Sequence, residues 1–142
     1  MALILSIETS TKVCSVALHQ DGELLGSQEL HVDRSHSEYL AIMIKDMLKY
    51  CSVETKELSA VAVSKGPGSY TGLRIGVSTA KGLCFGLDIP LISVNSLLAM
   101  AFEASKYNLN QYDLCPMLDA RRMEVYCLLT DHQLNLKQET HS

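Results

Sequence analysis

Hydrophobic positions fall in short blocks separated by polar or glycine-containing turns, and the spacing inside each block predicts an element. Leu3-Ile-Leu-Ser-Ile-Glu8 is apolar on both faces, which predicts a central strand over 3–8. Thr9-Ser10-Thr11 turns the chain, and residues 13–20 read as a second strand. Asp21-Gly22 is a two-residue hairpin signal, so 23–31 returns as a third strand. Ser35 and Glu38 stand at capping-box spacing and open a helix to about Cys51. Ala60–Ser64 is a short apolar strand, followed by the loop Gly66-Pro-Gly-Ser-Tyr-Thr-Gly72 and a helix to about Gly86. Residues 89–94 predict another strand, and Asn95 or Ser96 caps a helix to about Lys106. The order βββαβαβα is that of an α/β layered domain. Beyond a linker at 108–112, residues 113–119 and 123–131 read as strands joined at Asp119-Ala-Arg-Arg122, with a short strand at 134–139. Two segments follow, 1–107 as a first lobe and 108–142 as the opening meander of an incomplete second.

Composition narrows the class. Of the 142 residues 47% are hydrophobic, too apolar for a disordered chain. Apolar runs of a few residues exclude a transmembrane helix, and Glu8 interrupts the start too early for a signal peptide. A net charge of -4 with scattered Lys and Arg makes the chain by itself a poor nucleic-acid binder. Five widely spaced cysteines without a C-x-x-C pair read as small buried hydrophobes of a reducing compartment.

Candidate chemistry concentrates in two turns and two helices. The hydroxyls of Thr9, Ser10 and Thr11, after a buried strand, either cradle a phosphate or satisfy their own backbone. Gly66, Gly68 and Ser69 precede a helix N-terminus, the place for an anion, or form a structural turn; the loop matches neither the P-loop nor the dinucleotide pattern. In the helix that follows, Gly72, Gly76, Ala80, Gly82 and Gly86 repeat small residues. Interior glycines cost about 1 kcal/mol each, and close approach of another backbone is the compensation, inside this domain or in a partner. On the helix 35–51, Tyr39, Leu40, Met43, Ile44, Met47, Leu48 and Cys51 cover roughly half the circumference. That exceeds one buried face and predicts a second partner, to which Tyr39, Leu40, Met43, Ile44, Met47, Gly72, Gly76, Thr79, Ala80 and Leu83 are assigned. His31 and His36 lack the i, i+4 spacing of helical metal ligands, and position 40 is Leu. No metal site and no catalytic residue is assigned. Arg121-Arg122, beside Asp119 and Glu124, reads as a solvated hairpin turn.

Six blocks lie in order along nearly the whole chain: Leu5-Ser-Ile-Glu-Thr-Ser-Thr11, Cys14-Ser-Val-Ala-Leu18, His36-Ser-Glu38, Gly66-Pro-Gly-Ser-Tyr-Thr-Gly-Leu-Arg-Ile-Gly76, Ala80-Lys-Gly-Leu83 and Asp119-Ala-Arg-Arg-Met-Glu-Val-Tyr126. In them the sequence closely resembles the TsaB family, also called YeaZ. The resemblance implies an actin-like ATPase fold of the ASKHA, ribonuclease H-like group. It implies a non-catalytic, cytoplasmic partner subunit in tRNA threonylcarbamoyladenosine formation at the adenosine beside the anticodon. It implies pairing with a TsaD-like subunit as a four-helix bundle through the helices 35–51 and 70–86, a TsaE-like ATPase as further partner, and tRNA contact only through the complex. A homodimer through the same helices is expected in isolation. No cofactor is implied for the chain alone, ATP or ADP only for the full complex. Older names such as glycoprotease-like imply no protease. Two departures stand out: Glu8 occupies a position where the family usually has Asp, and the family is typically longer than this chain. A nucleotide-dependent kinase or hydrolase of the same superfamily, using Thr9–Thr11 and Gly66–Gly72, is the alternative.

Overall fold

The structure, a computed structural model, describes residues 1–32 and 35–140. The elements are β1 (Leu3–Glu8), β2 (Cys14–Gln20), β3 (Glu23–Leu30), α1 (Ser35–Tyr50), β4 (Ala60–Gly66), α2 (Tyr70–Leu87), β5 (Leu91–Asn95), α3 (Ser96–Ser105), β6 (Met117–Arg121), β7 (Glu124–Thr130) and β8 (Leu136–Thr140). The expected order βββαβαβα and the trailing meander are both present. Helix α1 opens at Ser35 as expected; the Ser35 side chain, on which the expected capping box with Glu38 rests, lies outside the described part of the structure. A single turn of 3-10 helix at Thr55–Glu57, unforeseen from the sequence, is closed by the Glu57 carboxylate accepting from the Glu54 amide at 2.6 Å. The sixth strand begins at Met117 rather than 113, because Leu114 makes only an isolated bridge to Thr130.

The first five strands form one sheet in the order β3-β2-β1-β4-β5. Strands β1 and β2 are antiparallel, as are β2 and β3, whereas β1 and β4 are parallel. The register aligns Leu18, Leu5 and Val61 in one row and Val16, Ile7 and Val63 in the next. All six are at most 2% exposed, so this face is the floor of the core. Helix α1 lies over β2 and β3 and also touches α2, which rests on β1. Cys14, fully buried beside these rows, is held as the thiol because burial pushes its pKa up. The Asp21-Gly22 turn closes β2 onto β3 with φ of 51° and 89°, the left-handed pair that a two-residue hairpin needs.

The chain divides into two compact units, Met1–Lys65 with Ser69–Ser93, and Gly66–Gly68 with Val94–Ser142. Helix α3, read from the sequence as the last helix of the first lobe, falls in the second unit. The main hydrophobic core lies wholly in the first unit, from Leu3 to Cys84. In the second, α3 packs on β7, and Leu97, Ala101 and Leu128 are its buried apolar residues among those described. The β7–β8 connection is organised by Asp131, whose carboxylate accepts from the Asn135 side chain and amide and from the Gln133 amide. Those bonds hold its carboxyl below the usual range, the Asn135 side chain contributing most.

This imbalance in burial sets local stability. Native-state hydrogen exchange is expected to be at least tenfold faster for the ladder amides of β6–β8 than for those of β1, β2 and β4. Equal protection in both units of a monomer would contradict it.

Candidate functional site

The two turns singled out from sequence are committed to internal structure. Glu8, at the end of β1, accepts from the Ser10 amide at 2.6 Å and from the Ser64 hydroxyl on β4. Thr11 Oγ1 accepts from the Val13 amide at 3.2 Å, and the Ser10 carbonyl accepts from the Ser69 amide at 2.6 Å. Thr9 is fully buried, with no hydrogen-bond partner for its hydroxyl. Of the three hydroxyls, that of Thr11 satisfies its own backbone, while that of Thr9 is sealed in without a partner.

Ser69 is also occupied. It is the N-cap of α2, its Oγ accepting from the Gly72 amide at 3.3 Å. Gly66 and Gly68 have φ of +107° and +153°, values that L side chains rarely adopt, which accounts for glycine at both without a ligand.

The small residues of α2 divide by face. A Cβ at Gly72 would collide with the Thr9 carbonyl oxygen, and one at Gly76 with the Thr9 hydroxyl. Ala80 is fully buried below them. The expected partner contacts at Gly72, Gly76 and Ala80 are thus corrected: these residues let α2 close on the end of β1. Gly82 and Gly86 face open space, with nothing within 4 Å of where a Cβ would stand. Helical spacing puts them beside Thr79 and Leu83, both half-buried.

A second correction concerns α1. Leu40, Met43, Ile44 and Met47 are each at most 5% exposed. Half the circumference is apolar because the helix meets β2, β3 and α2 at once, so the wide arc is core. Tyr39 alone of the five residues assigned on α1 is well exposed, at 42%.

What remains open on this side is a groove of about 630 Å³ between α1, α2 and the 3-10 turn. Its floor is Ile44, Leu48, Val53 and Leu83, and Lys45, Lys49 and Lys56 stand along it. Sequence reasoning missed it because Val53 and Lys56 belong to a segment without helical or strand periodicity. Among the described residues there is no cluster of His, Cys, Asp and Glu able to hold a metal ion. Nor is any helix among them long and apolar enough to cross a membrane.

The strand order and the helices laid on one face define the actin-like, ribonuclease H-like class of α/β fold. Comparison with known proteins gives the family. The family model described as TsaD, tRNA N6-adenosine threonylcarbamoyltransferase, matches residues 27–142. The tRNA threonylcarbamoyladenosine biosynthesis protein TsaB of Escherichia coli K12 is 39% identical over 123 residues, covering 87% of this chain and 52% of the relative. TsaB of Haemophilus influenzae Rd is 40% identical over 124 residues, covering 87% of this chain and 51% of the relative. The solved structure of YeaZ from Pseudomonas aeruginosa superposes with a TM-score of 0.85 at 32% identity, over 100% of this chain and 66% of that one. The chain belongs to the TsaB (YeaZ) family, and it spans about half the length of the curated relatives it matches.

Proposed function

We propose that this chain acts in tRNA threonylcarbamoyladenosine biosynthesis as a non-catalytic partner of a TsaD-like transferase. The observation that carries the pathway is the 39–40% identity to TsaB proteins named for it. The partner role draws support from the side chains that a catalyst of this fold would use. The side chains of Glu8, Thr11 and Ser69 are engaged with neighbouring backbone or hydroxyl groups, and Thr9 is sealed beneath α2.

The surface we assign to the transferase is the α1–α2 groove, with Leu83 in its floor and Thr79, Gly82 and Gly86 along the adjoining edge of α2. Small residues at an open edge let a second helix approach closely, and the apolar floor supplies area to bury. In the absence of the transferase the same groove is expected to pair with a second copy of this chain. A TsaE-like ATPase and tRNA join through the complex, in the cytoplasm, and any ATP or ADP is bound there rather than by this chain alone.

Titration calorimetry of the purified chain with a TsaD-family transferase tests this reading. Saturable binding, with no ATP turnover by the chain alone, is the expected outcome. ATP hydrolysis abolished by Thr9→Ala would establish the kinase or hydrolase alternative instead.

A further inference from the structure

Among the described residues, two tight hairpins have left-handed residues at both central positions, and they are built from very different side chains. Between β2 and β3 the pair is Asp21-Gly22, at φ of 51° and 89°. Between β6 and β7, Arg121 pairs with Glu124, leaving Arg122-Met123 as the turn, at φ of 52° and 65°. Arg121 itself stands at φ of 68°, next to a register shift. Two-residue turns of this hand favour Asn-Gly or Asp-Gly, because a Cβ is disfavoured in left-handed backbone. Three consecutive bulky residues there carry strain that glycine or asparagine would relieve.

Within the second unit the turn is braced by its own backbone, and no contact of the Arg121, Arg122 or Met123 side chains is seen among the described residues. Arg121 and Arg122 are exposed, and among the described residues neither guanidinium has a hydrogen bond or an ion pair. The Asp119 carboxylate is committed to the Arg121 backbone amide at 2.7 Å. Met123 is fully exposed, at 103%. The three side chains at this tip are therefore free to meet another molecule.

We propose that the β6–β7 tip is a protein-docking anchor, in which Arg121 and Arg122 meet carboxylates of a partner and Met123 enters an apolar recess between them. A protein fits better than RNA. The chain carries a net charge of -4, and Asp119 and Glu124 flank the tip, so the field opposes a polyanion. A thioether adds little to phosphate recognition, whereas Arg and Met are both enriched at protein interfaces. The rigid turn presents all three side chains in one arrangement, which reduces the ordering cost of docking. Identification of that partner as the TsaD-like transferase rests on the function proposed above.

The test is a pair of variants of the full chain. Arg122→Asn combined with Met123→Gly gives the unstrained turn and is expected to raise the melting temperature by about 3–6 °C. It should weaken binding to the purified transferase at least tenfold in calorimetry. Arg122→Glu keeps a side chain in the strained turn, so it should leave the melting temperature near the parent's and weaken binding by a similar factor. If the parent binds and both variants bind equally well, the tip is not an anchor, while the partner reading stands. If the parent itself does not bind, the partner reading fails and the assignment of this partner falls with it. If transferase binding is unchanged but the assembled complex loses affinity for unmodified tRNA, the tip contacts RNA and the proposal is overturned.

Discussion

Gly72→Ala is expected to destabilise the first unit more than any other single methyl addition to α2. The new Cβ would press on the Thr9 carbonyl oxygen, which is main chain and cannot rotate away. Overpacking against movable side chains costs about 1–3 kcal/mol, and a backbone clash falls at or beyond the upper end. Gly76→Ala presses instead on the Thr9 side chain, so its cost should be smaller, about 1–3 kcal/mol less the roughly 1 kcal/mol of helix propensity that alanine restores. The two differ in how they can be rescued. Thr9→Ala removes the hydroxyl and methyl that Gly76→Ala meets, and that hydroxyl is buried without a partner, so its loss is cheap. Urea denaturation should show the double variant Thr9→Ala/Gly76→Ala recovering most of the stability lost in Gly76→Ala. The same change should rescue Gly72→Ala little. Equal rescue of both would mean that α2 does not close on β1 as described.

Gly82→Leu should do the opposite. Nothing lies within 4 Å of a Cβ at this position, so the fold accepts the side chain and gains about 1 kcal/mol of helix propensity. A leucine standing at the open edge of α2 would keep a partner helix from close approach. Binding to the transferase is expected to weaken at least tenfold, with an unchanged circular dichroism spectrum and a melting temperature at or above the parent's. Lys81→Ala, on the exposed outer side of the same helix, serves as the control and should change binding less than threefold. Loss of affinity in the control and not in Gly82→Leu would move the interface to the outer face of α2.

The contrast between these glycines marks the limit of what the sequence makes legible. Element order could be read because each signal is local: Asp21-Gly22 for the hairpin, Asn95 as the cap accepting from the Leu98 amide at 3.0 Å, the short apolar run of β1. What a helical face meets is not local. Gly72, Gly76, Gly82 and Gly86 have the same chemistry at nearly the same spacing, and only the tertiary arrangement separates the pair against Thr9 from the pair in open space. The width of the apolar arc on α1 failed as evidence of a partner for the same reason. A helix flanked by a second helix and seated on two strands buries more than the stripe a single contact requires. The turn at Thr9–Thr11 was ambiguous in sequence because hydroxyls suit both a phosphate and their own backbone. In the structure the Thr11 hydroxyl accepts from the Val13 amide, whereas the Thr9 hydroxyl is buried without a partner.

Nucleoside analysis of tRNA by mass spectrometry tests the partner-subunit account most directly. Unmodified tRNA would be incubated with the threonylcarbamoyl donor and three protein sets: this chain alone, the TsaD-like transferase with its ATPase, and all of them together. Threonylcarbamoyladenosine is expected only when the transferase is present, to increase at least tenfold when this chain is added, and to lose that increase with Gly82→Leu but not with Lys81→Ala. Product formed by this chain without the transferase, or a yield that its addition does not change, would contradict the account.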